Sequence, residues 1–418
     1  EMMHRASRMK DYGVVITGEP VADYGAIAAR RDQIVKRMWT GLKSLVGKNG
    51  VTWVAGRGRL DGPGRVIVAL AGEAGAAGAG GERTLVARDV IVATGSRVKS
   101  LPGLVPDGSR ILTSDDVLKL DRAPKSIVIV GAGAVGSEFA SFYDDIGTEV
   151  TLLEYLPAIV PLEDREVSAV LEKSFTRRGI RVTTNARFDP ASVTTTKDGV
   201  SLSVGPEGGS PEEIRAEALL VAAGRAANVE GIGLETTKAK LERGIVVVDD
   251  HMRTAEPHLY AIGDVVGGLW LAHTAAHEGL IAAHTIAGEE VEGIDYVAQP
   301  RATYCRPEIA SVGLTEEQCR ERGLEIQVGK MPFQAVAKAL IGGDYEGFVK
   351  VIGDRGSGAT LGVHIVGPHA TDLIAEASLG LLLEATPWEI GLATHPHPTL
   401  SEAIGEAAMA FAGRSINV

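Results

Sequence analysis

The apolar and polar positions of the chain divide it into stretches of different period. Residues 24–46 place Ile27, Ile34, Val35, Met38, Leu42 and Leu45 at helical spacing and predict a helix. Residues 51–54 read as a strand leading into a Gly56-Arg57-Gly58 turn. Residues 66–70 and 85–88 read as strands flanking a Gly/Ala-rich stretch, 71–81, which reads as a solvated hairpin loop. Residues 90–93 are another short apolar run, ending in Thr94-Gly95-Ser96. From 126 onward, apolar runs alternate with helical spacing: strand 126–130, helix 136–146, strand 149–154, helix 167–178 and strand 181–184. Strands 200–204 and 218–222 follow around a polar hairpin. Such alternation predicts a parallel α/β sheet. Strand 259–262 ends in Gly263-Asp264, and 273–287 reads as a long helix. From about residue 300 the order becomes strand, helix, strand, strand, then helices from Thr371 and Thr399, a separate α+β unit.

The length of 418 residues is enough for two to three domains of about 150 residues each. At 45% hydrophobic and 23% charged, the composition is that of a globular protein with sizeable cores. A net charge of −12 argues against nucleic acid or an anionic membrane as partner, because phosphate attraction needs clustered Lys and Arg. No apolar run reaches the roughly 18 residues that span a bilayer. Cys305 and Cys319 cannot build a disulfide framework, and their spacing fits no zinc pattern. A reduced, cytoplasmic setting is expected. Cys305 reads as a buried thiol, and Cys319 falls on a polar helix without evident role.

The strongest chemical signal is Ile127-Val128-Ile129-Val130-Gly131-Ala132-Gly133-Ala134-Val135-Gly136-Ser137-Glu138. It is a G-x-G-x-x-G that leaves a strand and opens a helix. Gly131 permits the tight turn, Gly133 lets backbone approach a pyrophosphate, and Gly136 lets helix and strand pack closely. The helix N-terminus then offers free N–H groups and its dipole to the phosphates. Glu154 ends the next strand. A carboxylate there accepts from both ribose hydroxyls and repels a 2′-phosphate, which predicts NAD over NADP.

Further strand ends carry weaker signals: Val92-Ala93-Thr94-Gly95-Ser96, Ala222-Ala223-Gly224-Arg225, and Tyr260-Ala261-Ile262-Gly263-Asp264. Leu271-Ala272-His273, Tyr304-Cys305-Arg306-Pro307-Glu308 and His395-Pro396-His397-Pro398-Thr399-Leu400-Ser401-Glu402 continue the series. Together they resemble the class I pyridine nucleotide-disulfide oxidoreductases, and within them the dihydrolipoamide dehydrogenases. Glutathione reductase relatives prefer NADP, which Glu154 disfavours. Mercuric reductases end in paired cysteines, absent here.

The resemblance implies two Rossmann-like α/β domains, for FAD and NAD, and a C-terminal α+β dimerisation domain. The implied division is 1–118 for a partial FAD-binding domain, 119–244 for NAD, 245–297 for a return segment completing the FAD domain, and 298–418 for dimerisation. Gly58, Thr94, Gly95 and Ser96 would lie along FAD. Asp264 would bond its ribityl chain, with Trp270, Leu271, Ala272 and His273 beside the isoalloxazine. Gly131, Gly133, Ala134, Val135, Gly136, Glu138 and Glu154 would hold NAD, with Phe188 and Gly224 near it. His397 would be the base that takes a proton from a dihydrolipoyl thiol, with Glu402 behind its ring. The implied partners are the dihydrolipoyl groups of 2-oxoacid dehydrogenase or glycine cleavage proteins, and a second copy of the chain.

Local sequence leaves other readings open. Thr399-Leu400-Ser401-Glu402 also fits a helix capping box. His395 has no assigned chemistry, and His395-x-His397 as a metal site lacks a third ligand. The resemblance implies a first G-x-G-x-x-G and a Cys-x-x-x-x-Cys pair upstream of the matched stretch. The sequence opens at Glu1, past where these would lie, so it reads as a fragment. As written it would not oxidise dihydrolipoamide and would expose a sheet edge and apolar surface. An NADH-dependent flavin diaphorase, or a non-catalytic dimeric paralogue, are the competing expectations.

Overall fold

The computed structural model describes residues 2–72, 77–206 and 209–417. Six longer helices are used below: α1 (Tyr24–Lys48), α2 (Ala134–Asp145), α3 (Arg165–Arg178), α4 (Ala272–Ala287), α5 (Ala370–Leu382) and α6 (Glu402–Phe411). The chain forms two compact units. One gathers residues up to 25, 98–224 and 297 onward; the other gathers 26–97 and 225–296. The chain thus passes between units at 25–26, 97–98, 224–225 and 296–297.

The first unit is built on a five-stranded sheet in the order Ile111–Leu112, Ala218–Val221, Ser126–Val130, Glu149–Leu153, Arg181–Thr183. Every pairing in it is parallel. Ile127, Val128 and Ile129 are all buried, because a parallel strand covered on both faces needs apolar side chains on both. The helical stripes Ala140 and Tyr143 of α2 and Val167, Leu171 and Phe175 of α3 close one core over it. The same unit contains an antiparallel five-stranded sheet, Arg301–Thr303, Glu308–Gly313, Thr360–Gly367, Phe348–Asp354, Ile326–Pro332. Here α5 and α6 supply Ile374, Ala377, Ile404 and Ala407 to the core formed with Val349, Val351, Val363 and Ile365.

Polar residues are buried within that sheet, among them Thr303, Ser311, Lys350 and His364. Lys350 and His364 face each other across the register, and both are fully buried. Lys350 Nζ donates to Asp164 at 2.9 Å and Glu166 at 2.8 Å, and pairs with Glu316. Asp164 is the N-cap of α3, so this charge cluster ties the dinucleotide-type sheet to the antiparallel one.

The second unit holds a three-stranded antiparallel sheet (Gly56–Leu60, Arg65–Ala71, Ala77–Val86), the parallel pair Val90–Val92 and Leu259–Ala261, and α4. Leu60, Val92, Leu234, Val246, Leu259 and Val265 form its core. The apolar stripe expected on α1 exists, but Ile34, Val35, Met38, Leu42 and Leu45 are all exposed among the described residues.

Several expected elements are different. Residues 51–54 form no strand; the strand is Gly56–Leu60, so Gly56-Arg57-Gly58 lies within a ladder instead of a turn. Gly56 suits that ladder because an added Cβ would meet the Ala69 carbonyl at 2.4 Å. Of the expected 71–81 loop, residues 73–76 lie outside the described residues, and Ala77 already begins a strand. Val200–Pro206 pairs with Glu212–Ala216, while Ala218–Val221, buried throughout, joins the parallel sheet. Residues 207–208 of that hairpin lie outside the described residues. Cys319 does fall on a short polar helix, Glu316–Glu321, where it is the buried residue, packed beside Leu314 and Ile352.

Candidate active site

The dinucleotide turn follows from local sterics. Gly131 has φ +99°. A Cβ on Gly136 would sit 1.8 Å from the Gly131 carbonyl oxygen, so only glycine lets α2 start this close to its strand. Gly133 is the N-cap, with no side-chain bond to the helix and no heavy atom within 4 Å of its Cβ direction. Ala134 and Val135 are exposed. The result is a helix N-terminus with backbone donors uncapped by side chains and open approach, which fits a pyrophosphate.

Glu154 is 7% exposed. Its Oε2 accepts from Ala132 N at 2.7 Å and its Oε1 from Leu156 N at 2.8 Å. The carboxylate therefore braces the glycine turn, and its remaining lone pairs are what a ribose could use. Glu138 accepts from Tyr304 N at 2.9 Å, and burial pushes its carboxyl above the usual range. Phe188 is half-buried against the core around Leu153 and Leu219, and Gly224 takes φ +104°.

The other unit carries the residues expected along FAD. Thr94 Oγ1 donates to Asn228 O at 2.8 Å, Asn228 N to Gly95 O at 2.9 Å, and Asn228 Nδ2 to Thr94 O at 3.0 Å. Ser96 Oγ donates to Asp264, and Arg225 Nε donates to Ser96 Oγ at 2.6 Å. Gly58 is exposed on its strand. Trp270 has φ +60° and leads to Leu271, the N-cap of α4, which makes no side-chain cap bond. Ala272 and His273 are exposed in the first turn. Thr274 Oγ1 is buried without a partner among the described residues. An uncapped helix start, a half-buried carboxylate–hydroxyl pair and an orphan hydroxyl fit a polar cofactor such as flavin.

Sequence reasoning missed Glu278. It is 2% exposed, accepts from Gly263 N at 2.5 Å and from Tyr296 Oη at 2.8 Å, and burial pushes its carboxyl up. It fixes the turn that presents Asp264. A lone acid within the apolar face of a predicted helix was the available signal.

The third constellation lies on the segment before α6. His397 Nδ1 bonds Glu402 Oε1 at 2.8 Å, and His397 is 72% exposed at its side chain. Glu402 Oε2 accepts from Thr399 N at 2.8 Å. One oxygen thus accepts from the Thr399 amide and the other holds the imidazole. The N-cap itself is Ser401, without a side-chain cap bond, so the full box does not form. Burial would raise the Glu402 carboxyl, but the Thr399 amide and His397 hold it below the usual range. Cys305 is buried, its Sγ donating to Pro307 O at 3.0 Å, and burial pushes its thiol far up; it is no ready nucleophile. Among the described residues no helix is long and apolar enough to cross a membrane.

Comparison with known proteins matches nearly the whole chain to one family. Residues 4–279 match the pyridine nucleotide-disulphide oxidoreductase family, and residues 299–408 match its dimerisation domain. The dihydrolipoyl dehydrogenase of Bacillus subtilis is 43% identical over 417 residues, covering 99% of this chain and 88% of the relative. That of Zymomonas mobilis is 40% identical over 418 residues, covering 100% and 88%. The crystal structure of LpdA from Mycobacterium tuberculosis superposes with a TM-score of 0.86 at 31% identity, covering 97% of this chain and 86% of that one. A glycine turn that only glycine can make, an uncapped flavin-type helix start and the matched dimerisation segment lead to one assignment: the chain belongs to the pyridine nucleotide-disulphide oxidoreductase family.

Proposed function

We propose that the protein is an NAD-dependent enzyme of dihydrolipoyl oxidation, acting as a homodimer in the cytoplasm on lipoyl groups of 2-oxoacid dehydrogenase or glycine cleavage proteins. The observation that carries this reading is the His397–Glu402 pair. A thiolate is the reactive form of a thiol, and an ordinary thiol is mostly protonated at neutral pH. His397 accepts the thiol proton at Nε2, since Nδ1 is engaged by Glu402. Glu402 fixes that tautomer and stabilises the imidazolium that results. The exposure of His397 suits a substrate carried on a separate protein.

FAD, when bound, supplies the two-electron relay between a dithiol–disulfide couple and NAD. Ser96, Asp264 and the start of α4 would hold it. The residues around Gly131–Gly136 and Glu154 would hold NAD, with Phe188 and Gly224 alongside. We assign residues 119–244 to that NAD-binding role and 298–418 to dimerisation.

The test is direct. Purified full-length holoenzyme given dihydrolipoamide and NAD should produce NADH, followed at 340 nm. Turnover of NADH with a dye but none with dihydrolipoamide would favour the diaphorase reading instead. Glu154→Ala should weaken NAD binding by about 10–100-fold, the range for one or two charge-assisted hydrogen bonds, with flavin content unchanged. Quenching of intrinsic fluorescence by NAD measures it; unchanged affinity would remove Glu154 from the nucleotide site.

A further inference from the structure

His397 stands on a strap that has no helix or strand of its own, running from the end of the short helix Pro387–Leu392 to the start of α6. Its own ring is largely exposed and is held at one nitrogen only, by Glu402. Two residues earlier the strap carries a second imidazole with the opposite environment. His395 is 11% exposed at its side chain, and its Nε2 bonds Glu376 Oε1, on α5, at 2.7 Å. The ring lies against α6 at Gly405, where an added Cβ would come 2.8 Å from Nδ1 and 2.9 Å from Cε1. Gly405 is on the turn of α6 directly after Glu402. One helix thus seats both rings of the strap: Glu402 grips His397, and the bare backbone at 405 makes room for His395.

We propose that His395 is a positioning residue for His397. Its pair with Glu376 and its seat on Gly405 pin the strap between α5 and α6, so that the exposed base keeps one orientation without protein packed around it. A hydrogen bond to a carboxylate that is partly shielded from water is stronger than the more exposed His397–Glu402 bond. The half-buried pair is therefore the anchor, and the exposed pair sets only the ring's tautomer. The inference rests on the reading of His397 as the base of dihydrolipoyl oxidation.

Three variants of the holoenzyme test it beside His397→Gln: His395→Ala, His395→Gln and Gly405→Ala. His395→Ala and Gly405→Ala should each lower kcat for dihydrolipoamide by about 10–100-fold, the scale of a misplaced catalytic group, with NADH-to-dye turnover unchanged. His395→Gln keeps a side-chain N–H for Glu376 and should recover kcat to within about threefold of the parent. Lipoamide kcat within about twofold of the parent in His395→Ala would overturn the proposal, as would dye and lipoamide turnover falling together in all three. Should His397→Gln itself leave lipoamide turnover intact, the functional reading fails instead, whatever the strap variants do.

Discussion

His397→Gln in the full-length holoenzyme is expected to lower dihydrolipoamide oxidation by about 10²–10⁴-fold, the usual contribution of a positioned general base. NADH-to-dye turnover should stay within about twofold of the parent, because hydride from NADH needs no thiol proton removed. The size follows from chemistry and geometry together. Without a base, attack waits on the small spontaneous thiolate fraction. With Gln, the Glu402 carboxylate keeps a hydrogen-bond partner and the Thr399 amide remains satisfied, so the start of α6 is undisturbed. Parallel loss of both activities would mean that the substitution acts on the fold, and would remove His397 from proton transfer. Glu402→Gln should cost less than His397→Gln, since it weakens orientation but leaves the base in place.

Lys350→Met is expected to produce the largest loss of stability, about 3–5 kcal/mol at neutral pH. Lys350 is 1% exposed and is the shared cation of Asp164, Glu166 and Glu316. Methionine fills the space but leaves Asp164, itself 2% exposed, as a buried charge without its counter-ion. The deficit should depend on pH with a definite sign. In the parent, burial works to raise the Asp164 carboxyl, but the Lys350 hydrogen bond, with the charges of His364 and Lys350, holds it below the usual range. A depressed carboxylate contributes stability that is present above its unfolded value near 4 and is lost as pH falls through the folded value. In the variant, burial acts unopposed by Lys350 and the same group is raised. Its penalty is then relieved as pH falls toward 5. Thermal unfolding of both proteins at pH 7.5 and 5 checks this: the gap in Tm should narrow on acidification. A gap of constant size would mean that lost packing, not the unpaired charge, sets the deficit.

The Rossmann turn and the parallel alternation were legible in the chain from residues close in sequence, whereas the His397–Glu402 pairing came from the family resemblance. Gly131, Gly133 and Gly136 are spaced by what one turn and one helix start require. Glu402 reaches His397 across a short strap, and the sequence left only its capping role to be weighed against catalysis. In the structure one carboxylate bonds both the His397 imidazole and the Thr399 amide. The Val51–Val54 segment misled for the opposite reason: an apolar run predicts burial, and only pairing partners decide which residues enter a ladder. Here the ladder began at Gly56, where contact with Ala69 excludes a side chain.

By itself the sequence determined the dinucleotide-binding turn and the acid that ends the following strand. These are set by backbone sterics and by hydrogen bonds spanning a few residues. The tertiary structure alone decided which distant groups neutralise one another. Lys350 meets Asp164 across 186 residues, Glu278 braces the turn of Asp264, and Glu376 holds His395. No local period encodes such pairs. A buried charge is tolerable only where the fold delivers its partner, and that partner is chosen by the packing of sheets and helices, not by spacing along the chain.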